Sequence, residues 1–265
     1  MRVCAGLFIM AGVLLLSFSD PVLAQDENAL EFNGINDFVV VATTPIAQDE
    51  FTVEAWILAR DASVVGDAIV ANNENRASEG FELIVRKTGG DFVLEMDFGL
   101  TNVVQAPFGT YIDQWTHVAA TWDGSFDGTV VLFINGQVAA TGTGTMGDAT
   151  ARFFIGRVDD TTPLVSFDGM IDEVRVWEVA MNEDLIDTWK GAVDLSAHPR
   201  YNDLQAFWRF QEGSGQTVES EVNVGTFTGQ LGSTPGVDLE DPGWGESGGL
   251  PVESATWGGV KSLYR

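Results

Sequence analysis

The stretch VLFING at residues 131–136 decides the fold class. Its apolar side chains alternate between two faces, since Val131 and Phe133 point one way and Leu132 and Ile134 the other. The run ends in Asn-Gly, and this dipeptide beside alternating apolar residues is the strongest short-range signal for a β-hairpin. Residues 131–136 therefore predict a strand that leads into a tight turn.

On both sides of this turn, the chain repeats the same pattern of short alternating runs separated by turn residues. A second hairpin is predicted where residues 88–91, Thr-Gly-Gly-Asp, separate two such runs, because glycine adopts the positive φ that tight turns need. The predicted strands include residues 30–32, 38–40, 51–57, 81–85, 92–98, 115–122, 131–134, 153–155, 171–177 and 204–210. The sequence thus predicts an all-β protein.

A single segment has the spacing of a helix. Asn182 is a suitable N-cap, acidic residues follow it in the first turn, and Leu185, Ile186 and Trp189 recur at helical intervals. Many short strands and at most one short helix predict a two-sheet antiparallel jelly-roll β-sandwich.

Composition divides the chain into four parts. Residues 1–24 predict a signal peptide, with Arg2 before an apolar run and small residues before a cleavage site at Gln25; a membrane anchor is the alternative. Residues 25–231 are predicted to form the sandwich domain, with the late strand at 204–210 packing back on it. Glycine and proline predict a linker at 232–254. Residues 255–265 form an aromatic and basic tail, interpreted as a sorting or surface-attachment signal, or else a frayed terminus. We expect a secreted or cell-surface protein without a transmembrane span.

The charge balance narrows the choice of partners. The chain has 39 acidic and 13 basic residues and a formal net charge of −26. Such a chain repels nucleic acid and anionic membrane surfaces, and it attracts divalent cations. A generic acidic surface suited to a saline habitat explains the same charge. The sole cysteine, Cys4, lies in the predicted signal peptide, so the mature chain has no disulfide and no cysteine nucleophile.

The sequence offers one pattern that resembles acid catalysis. Glu95 and Asp97 lie two residues apart on one face of a predicted strand, as in β-glucanases, but no third carboxylate follows them. We interpret them as the solvent side of an amphipathic strand. His117 and His198 have no partner pattern for a triad or a zinc site and are predicted to be structural. The expectation is a protein that is not an enzyme.

Several segments, in order, resemble the laminin-G-like jelly roll of bacterial secreted proteins, within the concanavalin-A-like lectin and glucanase superfamily. They read ALEFNGINDFV at 29–39, FTVEAWI at 51–57, QWTHVAATWDG at 114–124, LFING at 132–136, FIGR at 154–157 and FDGMIDEVRVW at 167–177. The resemblance covers roughly residues 26–190. It implies a structural calcium ion held by Asp172, the carbonyl of Gly34, and further oxygens from Asp37 or Asn33, since calcium prefers oxygen ligands.

The same resemblance implies recognition of a carbohydrate or glycoprotein. Trp122 at a strand end, Asn73 in one polar loop, and Arg157 and Asp159 in another are the predicted ligand-binding residues, although solvated loops explain the polar residues equally well. An adhesive protein that mediates protein–protein contacts is the alternative function, and a glycoside hydrolase is a weaker one.

Overall fold

The protein is represented by a computed structural model that describes residues 28–46, 49–73, 80–99, 103–148, 151–159, 166–248 and 250. The predicted signal peptide and C-terminal tail lie outside these residues. No helix within the described ranges is long and apolar enough to cross a membrane.

Two sheets of eight strands face each other, and the strands that pair within each sheet are antiparallel. The first sheet contains β1 (Asn28–Asn33), β3 (Phe51–Ala59), β8 (Thr116–Trp122), β9 (Gly128–Ile134), β10 (Gln137–Gly144), β12 (Asp168–Trp177), β13 (Leu204–Trp208) and β16 (Gly243–Glu246). The second contains β2 (Val39–Val41), β4 (Asp67–Ala71), β5 (Glu82–Thr88), β6 (Asp91–Asp97), β7 (Val103–Pro107), β11 (Phe153–Ile155), β14 (Thr217–Val218) and β15 (Gly229–Leu231). This is the predicted jelly-roll sandwich.

The inward faces of the two sheets share one apolar core. Phe153 of the second sheet stacks on Trp208 of the first, with ring centroids 5.7 Å apart and an interplanar angle of 13°. Phe51 of the first sheet stacks on Phe81, which precedes β5 in the second, at 4.7 Å. Offset stacked aromatic pairs contribute energy beyond the area that they bury, so these pairs help to hold the sheets together.

The predicted helix is confirmed as α1 (Glu183–Trp189), and the side chain of Asn182 accepts a hydrogen bond from the backbone N–H of Leu185. The helix lies over the outer face of the first sheet. There Ile186 joins Phe133, Trp177 and other apolar residues in a second cluster. This face of the first sheet is therefore covered.

The structure differs from the predicted linker at 232–254. Gly232 donates to the carbonyl of Phe38, Phe38 donates to the carbonyl of Glu240, and strand β16 pairs with β1 at the edge of the first sheet. Gly232 and Gly248 adopt positive φ, +61° and +67°, which suits the turns of this segment, whereas Gly243 and Gly245 lie in β16. Residues 232–248 thus belong to the sandwich; of the rest of the predicted linker, only Leu250 is described.

Replacing Trp208 by alanine tests the contact between the sheets. Trp208 is fully buried and its indole N–H donates to the carbonyl of Phe227. We expect a loss of about 3–5 kcal/mol, since alanine leaves a cavity, and a fall in Tm of about 10 °C measured by circular dichroism. Phe126→Ala is the matched control, because Phe126 is 90% exposed and its loss should leave Tm nearly unchanged. Equal effects of the two variants would contradict the proposed role of this contact.

Candidate functional site

Three carboxylates lie on the outer face of the second sheet. Leu83 and Leu94 point into the core, so the alternation of β5 and β6 turns Glu82, Glu95 and Asp97 to the opposite side. Each of the three is only 1% exposed. The interpretation of Glu95 and Asp97 as the solvent side of an amphipathic strand is therefore wrong, since both side chains are buried on this outer face.

A cavity of about 320 Å³ opens beside these carboxylates and is lined by Arg86, Glu95, Asp97, Val103 and Gln105. We call it the polar groove. The register of β6 and β7 creates it, since Gln105 lies opposite Glu95 and Val103 opposite Asp97. The groove combines charged, amide and apolar side chains within three adjacent strands.

Hydrogen bonds and an ion pair fix the orientation of the groove's polar side chains. Arg86 Nη2 lies 2.7 Å from Glu95 Oε1, and the amide of Gln105 donates to the other oxygen of Glu95. At the edge of the groove, Asn73 Nδ2 donates to Glu82 Oε1 at 3.2 Å. A buried carboxylate needs such partners, because desolvation of an unpaired charge is costly.

In the part of the chain that the structure describes, three residues form the solvent side of the groove. Val103 is 43% exposed, the side chain of Arg86 is 23% exposed, and Gln105 is exposed. A ligand that lies along β7 therefore meets one apolar surface, one cation and one amide, with the carboxylates beneath them.

The segment after β11 crosses the same outer face next to the groove. Val158 packs against Ala68, Ala71 and Ile84 of β4 and β5, and Asp159 follows with 1% exposure. Of the four predicted ligand-binding residues, Asn73 contacts a carboxylate beside the groove and Asp159 follows this covering segment.

The structure places Arg157 away from solvent. It is 2% exposed, its guanidinium lies 4.9 Å from the ring centroid of Phe38, and it donates to the carbonyl of Asn36 at 3.2 Å. Glu240 lies 3.5 Å away in the segment that was predicted to be a linker. These contacts give Arg157 a structural role between the first turn and that segment, rather than the predicted exposed position.

Trp122 also differs from its predicted position. Its ring is 3% exposed and lies among Phe51 and Phe98, each with a centroid 5.8 Å away. Its indole N–H donates to the carbonyl of Gly144. Trp122 ends β8 on the inward face, so it packs in the core and offers no face for a sugar ring.

Three of the four predicted calcium ligands share the first turn. Asn33 donates from its backbone and its side chain to the two oxygens of Asp37, at 2.9 and 2.7 Å. Gly34 adopts φ +70°, which suits glycine, and a Cβ there would lie 2.9 Å from Cβ of Asp168. The first turn thus lies against Asp168.

The fourth predicted ligand, Asp172, does not reach this turn. Strand β12 begins at Asp168, which pairs with Asn33, so Asp172 lies four residues further along. At about 3.3 Å per residue this places it about 13 Å from the turn. The predicted set is not assembled, and within the described ranges no group of three or more histidine, cysteine or acidic residues is arranged to hold a metal ion.

Asp37 is nevertheless electrostatically unusual. Burial raises its pKa from 3.8 to about 7, the hydrogen bond from the Asn33 backbone opposes this, and the negative charges of Asp241 and Glu31 add to it. The folded protein therefore binds a proton at Asp37 more tightly than the unfolded chain does.

A second ionisable network is buried beneath α1. His117 Nε2 lies 3.1 Å from Glu54, and Trp177 donates to the same carboxylate at 2.9 Å. Burial raises the pKa of Glu54, but the hydrogen bonds from His117 and Trp177 and the charge of Arg175 outweigh it and lower the pKa to about 2. Burial lowers the pKa of His117 and takes that of His198 to about 4. The covered position of this network makes it structural.

Sequence reasoning missed Glu82, Arg86 and Gln105. The signal was present in the hairpin at residues 88–91, whose two-residue loop pairs Thr88 with Asp91. Counting six residues away from this loop along each strand places Glu82 opposite Asp97. For Gln105 the sequence holds no comparable signal, because nothing in it predicts how β7 pairs with β6.

The chain has the fold of the concanavalin A-like sandwich proteins. Residues 33–187, which are more than half of the chain, match the family model Laminin_G_3. This model is described as concanavalin A-like lectin/glucanases superfamily. The chain therefore belongs to this laminin-G-like family.

Solved structures with the same fold include a proposed carbohydrate-binding protein, a pentraxin and an enzyme domain. A proposed carbohydrate-binding protein from Bacteroides ovatus ATCC 8483 is 20% identical with a TM-score of 0.62, and the match covers 83% of this chain and 62% of that one. The heptameric SAP-like pentraxin of Limulus polyphemus is 18% identical with a TM-score of 0.56, covering 77% and 95%. The enzymatically active domain of bacteriophage CBA120 tailspike protein 2 is 11% identical with a TM-score of 0.53, covering 70% and 30%. This chain thus spans less than two thirds of the Bacteroides protein. The similarity establishes the fold alone, and no curated protein matches the sequence.

The raised pKa of Asp37 predicts a pH-dependent stability. The proton on Asp37 contributes its full stabilisation of the fold below about pH 3.8. This contribution is lost as the pH rises through about 7, so the protein loses stability over this interval. Asp37→Asn removes the titration and should raise Tm by about 2–4 °C at pH ~8 in the presence of a chelator, with the gain disappearing near pH ~4. Thermal melts across this range measure the effect.

Asp238→Asn is the control of opposite sign. Although burial raises the pKa of Asp238, hydrogen bonds from Glu240, Thr234 and Ser233 lower it overall, so its ionised form stabilises the fold. Its amide variant should lose stability at pH ~8. A D37N variant that loses as much stability at high pH as at low pH would refute the assignment.

Proposed function

We propose that this chain is a non-catalytic binding domain that recognises a carbohydrate or glycoconjugate outside the cell through the polar groove. The observation that carries the proposal is an accessible cavity on the second sheet whose polar side chains are already held in place. The laminin-G-like family and the Bacteroides neighbour support the carbohydrate class of ligand.

The chemistry of the groove suits a polyhydroxylated ligand. Sugar hydroxyls both donate and accept hydrogen bonds, and the exposed amide of Gln105 offers both functions while Arg86 donates. Val103 supplies an apolar surface for the C–H face of a ring. Because two partners already orient Glu95, this side chain loses little conformational entropy when a ligand binds.

Hydrolysis is the second candidate function, and one observation favours it. Glu82 and Asp97 lie directly opposite each other on β5 and β6, which supplies a carboxylate pair that the sequence of β6 alone lacks. Retaining glycosidases use two carboxyl groups about 5–5.5 Å apart. Against this, Glu95 is committed to an ion pair with Arg86.

Variants of the groove test the binding proposal. We expect Gln105→Ala and Arg86→Ala to weaken binding to a glycan array and, by calorimetry, to lower the affinity for the selected oligosaccharide about tenfold or more. Arg60→Ala is the matched control, since Arg60 pairs with the exposed Glu31 on the first sheet. The proposal fails if no glycan binds, or if both groove variants bind as the unaltered protein does. Release of reducing ends from a polysaccharide panel would instead support the hydrolase, and binding of proteins without glycans would support the adhesive alternative.

The calcium ion remains a prediction from the family resemblance. Asn33, Gly34 and Asp37 supply oxygens at the first turn, whereas Asp172 lies elsewhere on β12. An ion that binds the native state alone raises the midpoint of unfolding. Calcium should therefore raise Tm relative to a chelator, with magnesium as the control.

The position of the two acids makes this test specific. Asp37→Asn should abolish the rise in Tm with calcium, and Asp172→Asn should retain it whatever its own Tm. A rise that depends on Asp172, or no rise at all, would contradict an ion at the first turn.

Export by the predicted signal peptide and surface attachment by residues 255–265 form part of the same proposal.

A further inference from the structure

We propose that one end of the sandwich carries a second binding surface, which docks a segment of a partner protein that is both apolar and basic. The surface consists of Ile35 in the turn between β1 and β2, and of Val237 and Leu239 in the segment before β16. We call it the apolar end patch. None of its three residues lines the polar groove. The inference therefore goes beyond the proposed carbohydrate site and does not depend on it.

The three side chains of the apolar end patch are almost fully accessible to solvent. Ile35 is 66% exposed, Val237 is 87% exposed and Leu239 is 88% exposed. Single apolar side chains on a surface need no explanation, whereas apolar side chains that share one region of a surface mark an interaction site. The contacts between the two segments decide which case applies here.

Hydrogen bonds join the first turn to the segment before β16. Asn36 Nδ2 donates to the carbonyl of Leu239 at 2.6 Å, and the N–H of Phe38 donates to the carbonyl of Glu240 at 3.1 Å. Ile35 directly precedes Asn36 in the same turn. The turn and the segment therefore lie side by side, and their exposed apolar side chains occur at the same end of the sandwich.

The backbone that carries the patch is held by local hydrogen bonds. The carboxylate of Asp238, which lies between the two apolar residues of its segment, accepts from the backbone N–H groups of Thr234 and Glu240 at 3.0 and 2.8 Å. In the first turn, Asn33 Oδ1 accepts from the N–H of Ile35 at 2.8 Å. A surface that is ordered before binding loses little conformational entropy when a partner docks.

Carboxylates border the patch. Asp238 and Glu240 directly flank its leucine in sequence. Burial raises the pKa of Asp37 in the first turn, and the negative charges of Asp241 and Glu31 add to this effect, so both of these charges lie close to the turn. The border of the patch is therefore rich in negative charge.

The arginines beside the patch do not cancel this charge. Arg157 is 2% exposed, and its guanidinium already lies 3.5 Å from Glu240. Arg60 pairs with Glu31. Each arginine is thus matched by one glutamate, and the aspartate charges of the border remain.

An apolar surface with an anionic border complements one kind of partner. A protein segment with aliphatic side chains next to lysine or arginine buries its apolar side chains on the patch and places its cations at the border. A second copy of this chain would bring the same negative charge, and an anionic membrane surface would be repelled in the same way. The charges therefore favour the basic segment over these two occupants.

Three synthetic peptides of equal length test the inference on the full mature chain in the presence of a chelator. The first carries leucine and lysine, the second carries glutamate in place of lysine, and the third carries serine in place of leucine. We expect the leucine–lysine peptide to bind at least about tenfold more tightly than either of the others, measured by fluorescence anisotropy at neutral pH.

Apolar variants locate the binding. Ile35→Ser and Leu239→Ser should each weaken binding of the leucine–lysine peptide about tenfold, and neither should change Tm, because both side chains are exposed. Val224→Ser is the matched control and should retain the affinity. Val224 is 74% exposed, and its neighbour Asn223 donates to Gln205 on β13, which pairs with the end of β12 that lies away from the first turn.

Charge variants separate the border of the patch from the general acidity of the chain. Glu240→Gln should lower the affinity for the leucine–lysine peptide several-fold, since it removes a carboxylate beside Leu239. Glu246→Gln, which removes an exposed carboxylate of β16, should leave the affinity unchanged. The groove variant Gln105→Ala should also retain peptide binding, because Gln105 lies outside the patch.

The outcomes distinguish this inference from its alternatives. It is overturned if the leucine–lysine peptide does not bind, or if the control variants weaken binding as much as the patch variants do. A dimer that Leu239→Ser dissociates, or binding to phosphatidylcholine vesicles that Leu239→Ser abolishes, would also overturn it when the peptide does not bind, and would identify another occupant. Peptide binding that depends on the patch supports the inference even if no glycan binds the polar groove.

Discussion

Stacking of aromatic rings between the two sheets is the interaction on which the rest of the structure depends. Phe153 on Trp208 and Phe51 on Phe81 each join one sheet to the other. Once the inward faces are committed to this core, the alternation of side chains in a strand sends every second residue outward. The core therefore determines which residues are available for recognition.

The outer faces of the two sheets differ in how far other parts of the chain cover them. On the first sheet, α1 and the residues after it cover Phe133 and Trp177 together with the Glu54 network. On the second sheet, a groove remains accessible between Arg86 and Val103. The covered face stabilises the fold, and the accessible face carries the groove that we propose binds a ligand.

Local sequence patterns predicted ten of the sixteen described strands and α1, because alternation, Asn-Gly and an Asn cap are short-range signals. They did not predict register over long distances. The strand predicted at 171–177 begins at Asp168 in the structure, and nothing near Asp168 in sequence reveals that Asn33 is its partner. The burial of Glu95 could not be predicted either, since its partner Gln105 lies on another strand and its partner Arg86 lies before the turn at residues 88–91. Likewise, glycines at 232–248 predict turns, and only the pairing of β16 with β1 shows that those turns belong to the sandwich.

The structure separates the acidic residues of this chain into a scattered surface set and a buried set on the second sheet. Acidic residues scattered over a surface keep a protein soluble and repel polyanions, and they need no particular arrangement for this effect. Glu82, Glu95 and Asp97 on the second sheet are different, because each is nearly inaccessible to water, and ordering by Arg86, Gln105 and Asn73 is visible for Glu95 and Glu82. Burying charge opposes folding unless partners compensate it. Three buried carboxylates side by side are an arrangement that solubility alone does not require, and the binding function proposed for the polar groove gives a reason for it.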